Sequence, residues 1–375
     1  MVVWGKTFRG ARGWAVFRRC VAWCNHCLAT WSLIKVFDNP NARVDWANGL
    51  TRATMKSPRT RHCPPNGRHV GPGLPHSVFE FHIDRSNMNF TVTSLVKEFV
   101  AEIPDFPFDR YNDETIAQFR EVWKQYPLIR FRNVNIDDAT QVKFSKRLGP
   151  PVIHPRQLQE GKNSEFPEIL VISNKKKADG SAAGDLGDGE VKWHTDTWFV
   201  EQPPSAGILR SIELPPEGGN TYFANMYAAY AQLPEELKQK LKGLQIHHQD
   251  VVDGRGDVRL GKQKPNNDNY ETWSGIDHPI ARLHADSRKP CIYLGGERNR
   301  QSIVGMPSAE AQGLLSDLWE RATDKRHVWV QQWQTGDMMM WDNRCLMHYR
   351  DSFDANASRL MHRTTVEGER PIAAT

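Results

Sequence analysis

Long apolar runs are missing from this 375-residue sequence. A helix needs about 20 consecutive apolar residues to cross a bilayer, and no segment approaches that length. The composition, 39% hydrophobic and 25% charged residues, is typical of a soluble globular protein that can bury a full core. We therefore predict no transmembrane segment and no membrane partner.

Cysteine is also scarce. The chain has six cysteines, and four of them lie within the first 63 residues. The other two, Cys291 and Cys345, stand in apolar surroundings that are typical of reduced core thiols. No disulfide framework is indicated, which favours a reducing, cytoplasmic location.

Two common catalytic motifs are absent as well. Gly184, Gly187 and Gly189 are closely spaced, but they lack the strand–turn–helix context that a dinucleotide-binding fingerprint requires. No convincing Ser/His/Asp nucleophile arrangement is present, and the sequence has no internal repeats. These absences argue against nucleotide-dependent and serine-hydrolase chemistry.

Acidic residues are few only at the start of the chain. Residues 1–87 hold 13 Lys and Arg against 4 Asp and Glu, whereas residues 88–375 hold 36 against 40. We interpret residues 1–87 as a basic N-terminal extension, disordered or non-functional, and residues 88–375 as the functional domain. A transit peptide, a secretory signal, half of a zinc site around Cys24 and Cys27, and a basic arm for nucleic acid are alternatives for the extension. The mildly acidic body argues against a nucleic-acid partner.

Short strands separated by turn residues predominate in the body. Runs rich in β-branched and aromatic residues predict the strands, and apolar residues at helical spacing predict four helices. This pattern favours a mainly β fold, a two-sheet barrel or jelly roll with flanking helices. The predicted strands are 128–132, 168–173, 193–199, 206–214, 220–224, 291–294, 328–333, 338–341 and 359–366, and the helices begin near residues 113, 137, 234 and 308, with Asp113 as the first N-cap.

The most informative stretch is the strand-like run from Trp193 to Phe199. His194 and Asp196 are two residues apart in it, and alternate residues of a strand point to the same side. The imidazole and the carboxylate can therefore converge on one point. Together with one more imidazole, they would form the 2-His-1-carboxylate face that holds non-haem iron(II) and leaves coordination positions open.

His348 is the candidate third ligand, because it lies in a hydrophobic stretch where a buried imidazole needs a reason. The alternative is a core histidine with no metal, and two arginines that follow it favour the ligand. His247 and His248, in a more polar region, are predicted to face solvent. Arg359 and Arg363 follow His348 in a strand that is at least partly buried, and a guanidinium is costly to bury alone. Because that strand offers no acidic residue, a bound organic anion becomes the natural partner of these arginines.

Five motifs together resemble the taurine/aryloxyalkanoate (TauD/TfdA-like) family of iron(II)- and 2-oxoglutarate-dependent dioxygenases over about residues 88–372. The resemblance implies a double-stranded β-helix core of the cupin-like, jelly-roll type. The cosubstrates would be 2-oxoglutarate and O2. The motifs are His194-Thr195-Asp196, Gly218-Gly219-Asn220-Thr221, Trp341-Asp342-Asn343-Arg344, His348 and the pair Arg359 and Arg363.

The resemblance also implies roles for individual residues. His194, Asp196 and His348 would be the ligands of Fe(2+). Arg359 would pair with the distal carboxylate of 2-oxoglutarate, and the hydroxyl of Thr221 would bond to the same group. Arg363 would reach the acidic head of the substrate or support the cosubstrate, and His154 matches a substrate-binding position.

The expected reaction is hydroxylation of a small sulfonate or carboxylate, aryloxyalkanoates included, with succinate and CO2 as co-products. Residues 189–192 depart from the taurine pattern, so taurine dioxygenase proper is an alternative. A zinc hydrolase on the same barrel would leave Arg359 and Thr221 unexplained. An alternative of another class is a non-catalytic cupin-like binding protein with a basic N-terminal arm. We also expect a homo-oligomer, a dimer or a tetramer.

Overall fold

The computed structural model describes residues 88–154, 165–181, 183–253, 256–267, 269–297 and 301–375, together with the backbone of two short strands near the N-terminus. Contacts divide the chain into two units, Met1–Val78 and Phe79–Thr375. In the first unit, β1 (Trp4–Gly10) pairs antiparallel with β2 (Gly13–Arg19). Apart from these strands, the predictions for residues 1–87 lie outside the described residues. Within the described ranges, no helix has the length and apolar character that a bilayer crossing demands.

In the second unit, short strands outnumber helices, as predicted. The helices are α1 (Asp113–Gln125), α2 (Asp138–Leu148), α3 (Met226–Ala231), α4 (Glu235–Leu241) and α5 (Ser308–Ala322). The strands are β3 (Thr93–Val96), β4 (Val100–Glu102), β5 (Leu128–Phe131), β6 (Leu170–Ser173), β7 (Asp185–Leu186), β8 (Val191–His194), β9 (Ala206–Glu213), β10 (Thr221–Asn225), β11 (Gln245–Gln249), β12 (Gly275–Pro279), β13 (Ala281–Leu283), β14 (Pro290–Ile292), β15 (Ser302–Ile303), β16 (Val328–Gln331), β17 (Met338–Asp342), β18 (Leu346–Arg350), β19 (Leu360–Val366) and β20 (Ile372–Ala373).

Two sheets face each other and enclose the core. The major sheet has eight strands in the order β3-β4-β5-β17-β9-β19-β6-β7, and the minor sheet has four in the order β16-β10-β18-β8. Phe223 of β10 and Trp341 of β17 meet between the sheets, with ring centroids 5.7 Å apart. A side chain at Gly207 of β9 would collide with the Trp341 ring, so only glycine fits there. This mainly antiparallel, two-layer arrangement is the predicted jelly roll.

Helices α1 and α2 pack against a second apolar cluster beside the major sheet. Phe119 of α1, Phe131 of β5 and Phe144 of α2 are fully buried, and their rings lie 5.3 to 6.0 Å apart. The N-cap of α1 is Asn112, whose side chain accepts a hydrogen bond from the backbone N–H of Thr115. The prediction of Asp113 as the cap was therefore wrong by one residue. Asn112 has the extended backbone that a cap requires, whereas Asp113 is already helical.

The prediction that His247 and His248 face solvent was wrong. Strand β11 lies between β12 and β15, and alternation along β11 turns Ile246 and His248 toward the interior, where both are 0% exposed. The His248 ring lies 5.6 Å from the ring of His278 and 5.9 Å from that of Tyr293. Within the described chain, neither ring nitrogen of His248 has a hydrogen-bond partner.

This burial predicts a loss of stability in mild acid. Burial, with a smaller contribution from His278, holds the pKa of the His248 imidazole well below its ordinary value of 6.5. Below pH 6.5 the unfolded chain therefore binds a proton that the folded chain does not. We expect the free energy of unfolding to be highest above pH 6.5 and to fall below it by up to about 1.4 kcal/mol per pH unit for this group. Urea denaturation at pH 7.5, 6.5 and 5.5 measures it. The decline should be smaller in His248→Gln, and an undiminished decline in that variant would contradict the assignment.

Candidate metal centre

The structure brings His194, Asp196 and His348 together. Strands β8 and β18 pair antiparallel with His194 directly opposite His348, so their rings lie on one face with centroids 4.1 Å apart. Strand β8 ends at His194, so the prediction of a strand over residues 193–199 was wrong beyond that residue, and Asp196 lies in the turn that follows. Its Oδ1 lies 3.6 Å from Nε2 of each histidine, and one ligand atom from each residue lies within 4.8 Å of the others.

The protonation states of these groups fit a divalent metal. Nδ1 of His194 lies 2.7 Å from the carbonyl oxygen of Lys192. Since a carbonyl accepts, Nδ1 of His194 is the donor in this contact, which leaves Nε2 as the ring nitrogen that faces the site. Burial and the neighbouring His194 hold the pKa of the His348 imidazole well below its usual value, so this ring is neutral at pH 7.

The carboxylate of Asp196 is ionised. Burial alone would raise its pKa, but Arg363 and the two imidazoles outweigh burial and hold the pKa well below its usual range. One carboxylate and two imidazoles, all turned to one point, form the donor set that non-haem iron(II) accepts.

Arg363, on β19, has a partner that the sequence did not indicate. Its Nη2 lies 2.7 Å from Oδ2 of Asp196, and its guanidinium lies 5.4 Å from the centre of the Trp341 ring. We predicted an organic anion as partner of both late arginines, but Arg363 pairs with the carboxylate of the site itself. Its Nε has no hydrogen-bond partner among the described residues, so one donor is left for another acceptor.

Arg359 immediately precedes β19, and its role as partner of an organic anion stays a prediction. It is 2% exposed and forms no ion pair with a carboxylate of the described chain. Its Nη2 donates a long hydrogen bond of 3.4 Å to the carbonyl oxygen of Gly219, and its Nε has no partner in the described part of the protein. Burial, with Arg350 adding to it, lowers the pKa of this guanidinium to about 9. The pKa is lowered because the buried environment disfavours the charged form of this guanidinium when no anion lies beside it.

Thr221 lies at the same end of the barrel, two residues beyond the Gly219 carbonyl that contacts Arg359. Its side chain is buried, and its Oγ1 accepts a 3.0 Å hydrogen bond from Nε1 of Trp333. Because the indole N–H occupies an acceptor position of this oxygen, the hydroxyl hydrogen of Thr221 is available for another acceptor.

His154 belongs to the loop that follows α2. Two residues before it, the N–H of Val152 donates a 2.8 Å hydrogen bond to the carbonyl oxygen of Thr365. Pro151 forms a bridge with Val366. His154 is half-buried, and the segment just before it is the part of this loop that contacts the end of β19.

Sequence reasoning missed Arg350, which lies two residues after His348 on β18. Arg350 is 5% exposed and donates hydrogen bonds to the carbonyl oxygens of Leu186, Gly187 and Gly189. It thereby joins the polar segment before β8 to the strand of His348. Strand alternation could have indicated this position from the sequence, because it places Arg350 on the same face of β18 as His348.

A second group, His284, Asp342 and Cys345, also gathers potential metal ligands, but its atoms are already engaged. The backbone N–H groups of Asp286 and Ser287 donate to Nδ1 of His284, so its Nε2–H is left to donate to Asp342 at 3.0 Å. Arg344 forks onto both oxygens of Asp342. Burial raises the pKa of the Cys345 thiol well above its usual value. This group is a satisfied structural network.

The sequence is similar to a known protein family and to several characterised proteins. The model of the family described as "Taurine catabolism dioxygenase TauD, TfdA family" matches residues 91–365. An alpha-ketoglutarate-dependent 2,4-dichlorophenoxyacetate dioxygenase of Burkholderia sp. (strain RASC) is 31% identical over 270 residues, which are 68% of this chain and 87% of that protein. An alpha-ketoglutarate-dependent sulfate ester dioxygenase of Pseudomonas putida is 31% identical over 263 residues, 69% of this chain and 82% of that protein.

Solved structures agree with these relatives. A taurine dioxygenase from Burkholderia xenovorans superposes with a TM-score of 0.61 at 27% identity, covering 76% of this chain and 93% of that one. The structure of AAD-2 in complex with Mn(II) and N-oxalylglycine gives a TM-score of 0.60 at 26% identity, covering 76% of this chain and 99% of that one. The predicted jelly-roll fold is confirmed.

Proposed function

We propose that the substrate of this protein is a small organic acid or half-ester held through its anionic head. The premise is that the chain belongs to the TauD, TfdA family and is an iron(II)- and 2-oxoglutarate-dependent dioxygenase. The two relatives described above are named for 2,4-dichlorophenoxyacetate, an aryloxyalkanoate with a carboxylate head, and for sulfate esters, which carry a sulfur oxyanion. Two arginines near one strand carry the proposal: the largely enclosed Arg363, which pairs with Asp196 of the 2-His-1-carboxylate face, and the buried Arg359, which has no carboxylate partner in the described chain.

His194, Asp196 and His348 would hold the iron. Iron(II), 2-oxoglutarate and O2 together supply the oxidising chemistry, in which 2-oxoglutarate becomes succinate and CO2 while the substrate is hydroxylated. The chain's own contribution is to hold and orient these groups in a dry pocket. Trp341 is 1% exposed and its ring lies 4.9 Å from that of His348, so it excludes water from one side of the triad.

Arg359 and Thr221 would bind the distal carboxylate of 2-oxoglutarate. A guanidinium that lacks a carboxylate partner in the described chain gains a charge-assisted pair when this anion arrives. The Thr221 hydroxyl, whose oxygen already accepts from Trp333, would donate to the same carboxylate. Arg359 contacts the carbonyl oxygen of Gly219, two residues before Thr221, so both groups would bind one end of the cosubstrate and its keto-acid end would face the triad.

Arg363 and His154 would receive the acidic head of the substrate. The pairing of Arg363 with Asp196 keeps this guanidinium oriented, and its Nε remains available as a donor. His154 follows, two residues later, the backbone of Val152, which bonds to Thr365 near the end of the same strand. Two donors of this kind favour an anionic head over a neutral one, because a buried cation discriminates against groups that cannot pair with it.

The activity belongs to residues 88–375 in this proposal. The family model begins at residue 91, which supports a domain that does not need the basic extension of residues 1–87. The homo-oligomeric state, a dimer or tetramer, and the cytoplasmic location stay predictions.

Succinate release from 2-oxoglutarate, with iron(II) and ascorbate, tests the proposal across aryloxyacetates, alkyl sulfates and alkyl sulfonates with taurine among them. Each acid is paired with its neutral amide or methyl ester. We expect succinate release with at least one class of anion and a kcat/KM about 100-fold lower for its neutral partner, since losing one member of a buried charge pair costs about 2–5 kcal/mol. Equal turnover of an acid and its neutral partner would contradict the anionic head group. Turnover of taurine alone would favour taurine dioxygenase proper.

A further inference from the structure

Asn343 immediately follows β17, and its side-chain amide forms hydrogen bonds with both the backbone N–H and the backbone C=O of Asp196. Its Oδ1 accepts a 2.8 Å hydrogen bond from the N–H of Asp196. Its Nδ2 donates to the carbonyl oxygen of Asp196 at 3.1 Å and to that of Pro204 at 2.9 Å. Asn343 is 1% exposed, so its amide bonds the main chain of this one residue in the way a neighbouring strand would.

Asp196 needs such support because it lies beyond the end of β8. Its neighbour Thr195 still bonds to Gly295, with its N–H 2.8 Å from that carbonyl oxygen, but the next residue, Thr197, has a φ of +49°. A β-branched residue in this left-handed region is strained by about 1–3 kcal/mol. The turn that aims the Asp196 carboxylate between the two imidazoles is therefore held by its surroundings and is not a locally preferred conformation.

Asn343 is itself fixed in place. Its backbone N–H donates to the carbonyl oxygen of Ser205 at 2.9 Å. The residues on either side of it, Asp342 and Arg344, form the buried ion pair already described, with Nη2 of Arg344 2.7 Å from Oδ2 of Asp342. A side chain anchored on both flanks can transmit the position of β17 to the metal-binding turn.

We propose that Asn343 is a positioning residue of the metal centre. By pairing with both backbone groups of Asp196, it sets where the carboxylate stands relative to His194 and His348, and so it sets the affinity and geometry of the bound metal. Because its amide bonds the main chain of Asp196 and Pro204, it would act through Asp196 and not by binding the metal, the cosubstrate or the substrate. This inference rests on the proposed iron site, and it adds a determinant of metal affinity that lies outside the three ligands.

Titration of the metal-free full-length protein with Mn(II) alone, followed by calorimetry, tests the inference without any substrate. In Asn343→Ala we expect the dissociation constant for Mn(II) to rise by about 10- to 100-fold, the usual effect of removing a partner of a metal ligand. The KM for 2-oxoglutarate at saturating iron should stay unchanged, because Asn343 contacts neither Arg359 nor Thr221.

Asn225→Ala is the matched control. Asn225 is also a buried asparagine whose side chain bonds main-chain groups, in its case the N–H groups of Tyr227 and Ala228 at the start of α3. We expect this variant to lose stability and to bind Mn(II) as the unmodified protein does. Equal Mn(II) affinity of Asn343→Ala and the unmodified protein would overturn the inference. Failure of the unmodified protein to bind Mn(II) would instead overturn the proposed metal site.

Asn343→Ser keeps the experiment decisive if the alanine variant does not fold. Its hydroxyl can replace one of the three hydrogen bonds, so we expect a smaller rise in the Mn(II) dissociation constant. The visible absorption of the Co(II)-substituted protein gives a second readout, because it reports coordination geometry. A spectrum identical to that of the unmodified protein, at equal affinity, would show that Asn343 has only a structural role.

Discussion

Replacing Arg359 with alanine is expected to raise the KM for 2-oxoglutarate by about 10²- to 10³-fold, since removing one partner of a buried ion pair costs about 3–5 kcal/mol. Arg359 is 2% exposed, so the ion pair that it would form with the cosubstrate carboxylate is shielded from solvent. Metal affinity should be unchanged, because Arg359 contacts Gly219 and Phe353 and none of the three ligands. Initial rates of succinate release at increasing 2-oxoglutarate measure the effect.

Two further variants separate this effect from general damage. Arg359→Lys keeps the charge but loses the planar fork, so its KM should lie between those of the alanine variant and the unmodified protein. Arg210 is a buried arginine on β9 of the same sheet, and it pairs with Asp138. Arg210→Gln should lower the stability and leave the KM unchanged. A normal KM in Arg359→Ala would exclude this residue as the carboxylate partner.

Features that follow from strand alternation could be predicted from the sequence. Alternation along β18 places Arg350 on the same face as His348. The convergence of His194 and Asp196 was also predicted, but its basis was wrong, because β8 ends at His194 and Asp196 lies in the turn that follows. The directly opposed pairing of His194 and His348 across β8 and β18 follows from the family resemblance and not from spacing, since 153 residues separate them.

Contacts made by the ends of strands and by the following turns could not be predicted. The bonds of Asn343 to Asp196 join residues 147 positions apart, and nothing local marks an asparagine as the partner of one particular backbone. The pairing of Arg363 with Asp196 is of the same kind. The sequence indicated that a buried cation needs an anion, but which anion depends on how β19 lies against the turn after β8.

The burial of isolated polar residues is the other feature that could not be predicted from the sequence. His248 lies in a polar stretch, yet it is fully enclosed, because its side chain projects from the inner face of the sheet among the rings of His278 and Tyr293. Local composition predicts the exposure of a strand only when its neighbours are known. Similarly, Asn112 and Asp113 are equally good caps by residue type, and the preceding loop decides which of them is extended.

Replacing Asp196 with alanine is expected to abolish metal binding and, with it, turnover. The variant removes the only carboxylate among the three ligands, so the Mn(II) dissociation constant should rise by more than the roughly 10- to 100-fold that is typical of residues behind a ligand. It also leaves Arg363 as a buried cation without its partner at 2.7 Å, so the free energy of unfolding should fall. Calorimetric titration and urea denaturation measure the two effects separately.

The two effects can be separated because they have different causes. In the double variant Asp196→Ala/Arg363→Ala, the unpaired cation is gone, so stability should partly recover while metal binding stays absent. Asp337→Asn is the matched control, since Asp337 is also a buried carboxylate, with an arginine, Arg132, at 2.6 Å, but it belongs to neither group of potential metal ligands. This variant should lose stability and keep its metal. If Asp196→Ala bound Mn(II) as tightly as Asp337→Asn does, the carboxylate would act only as the counter-ion of Arg363, and the metal would have to lie elsewhere.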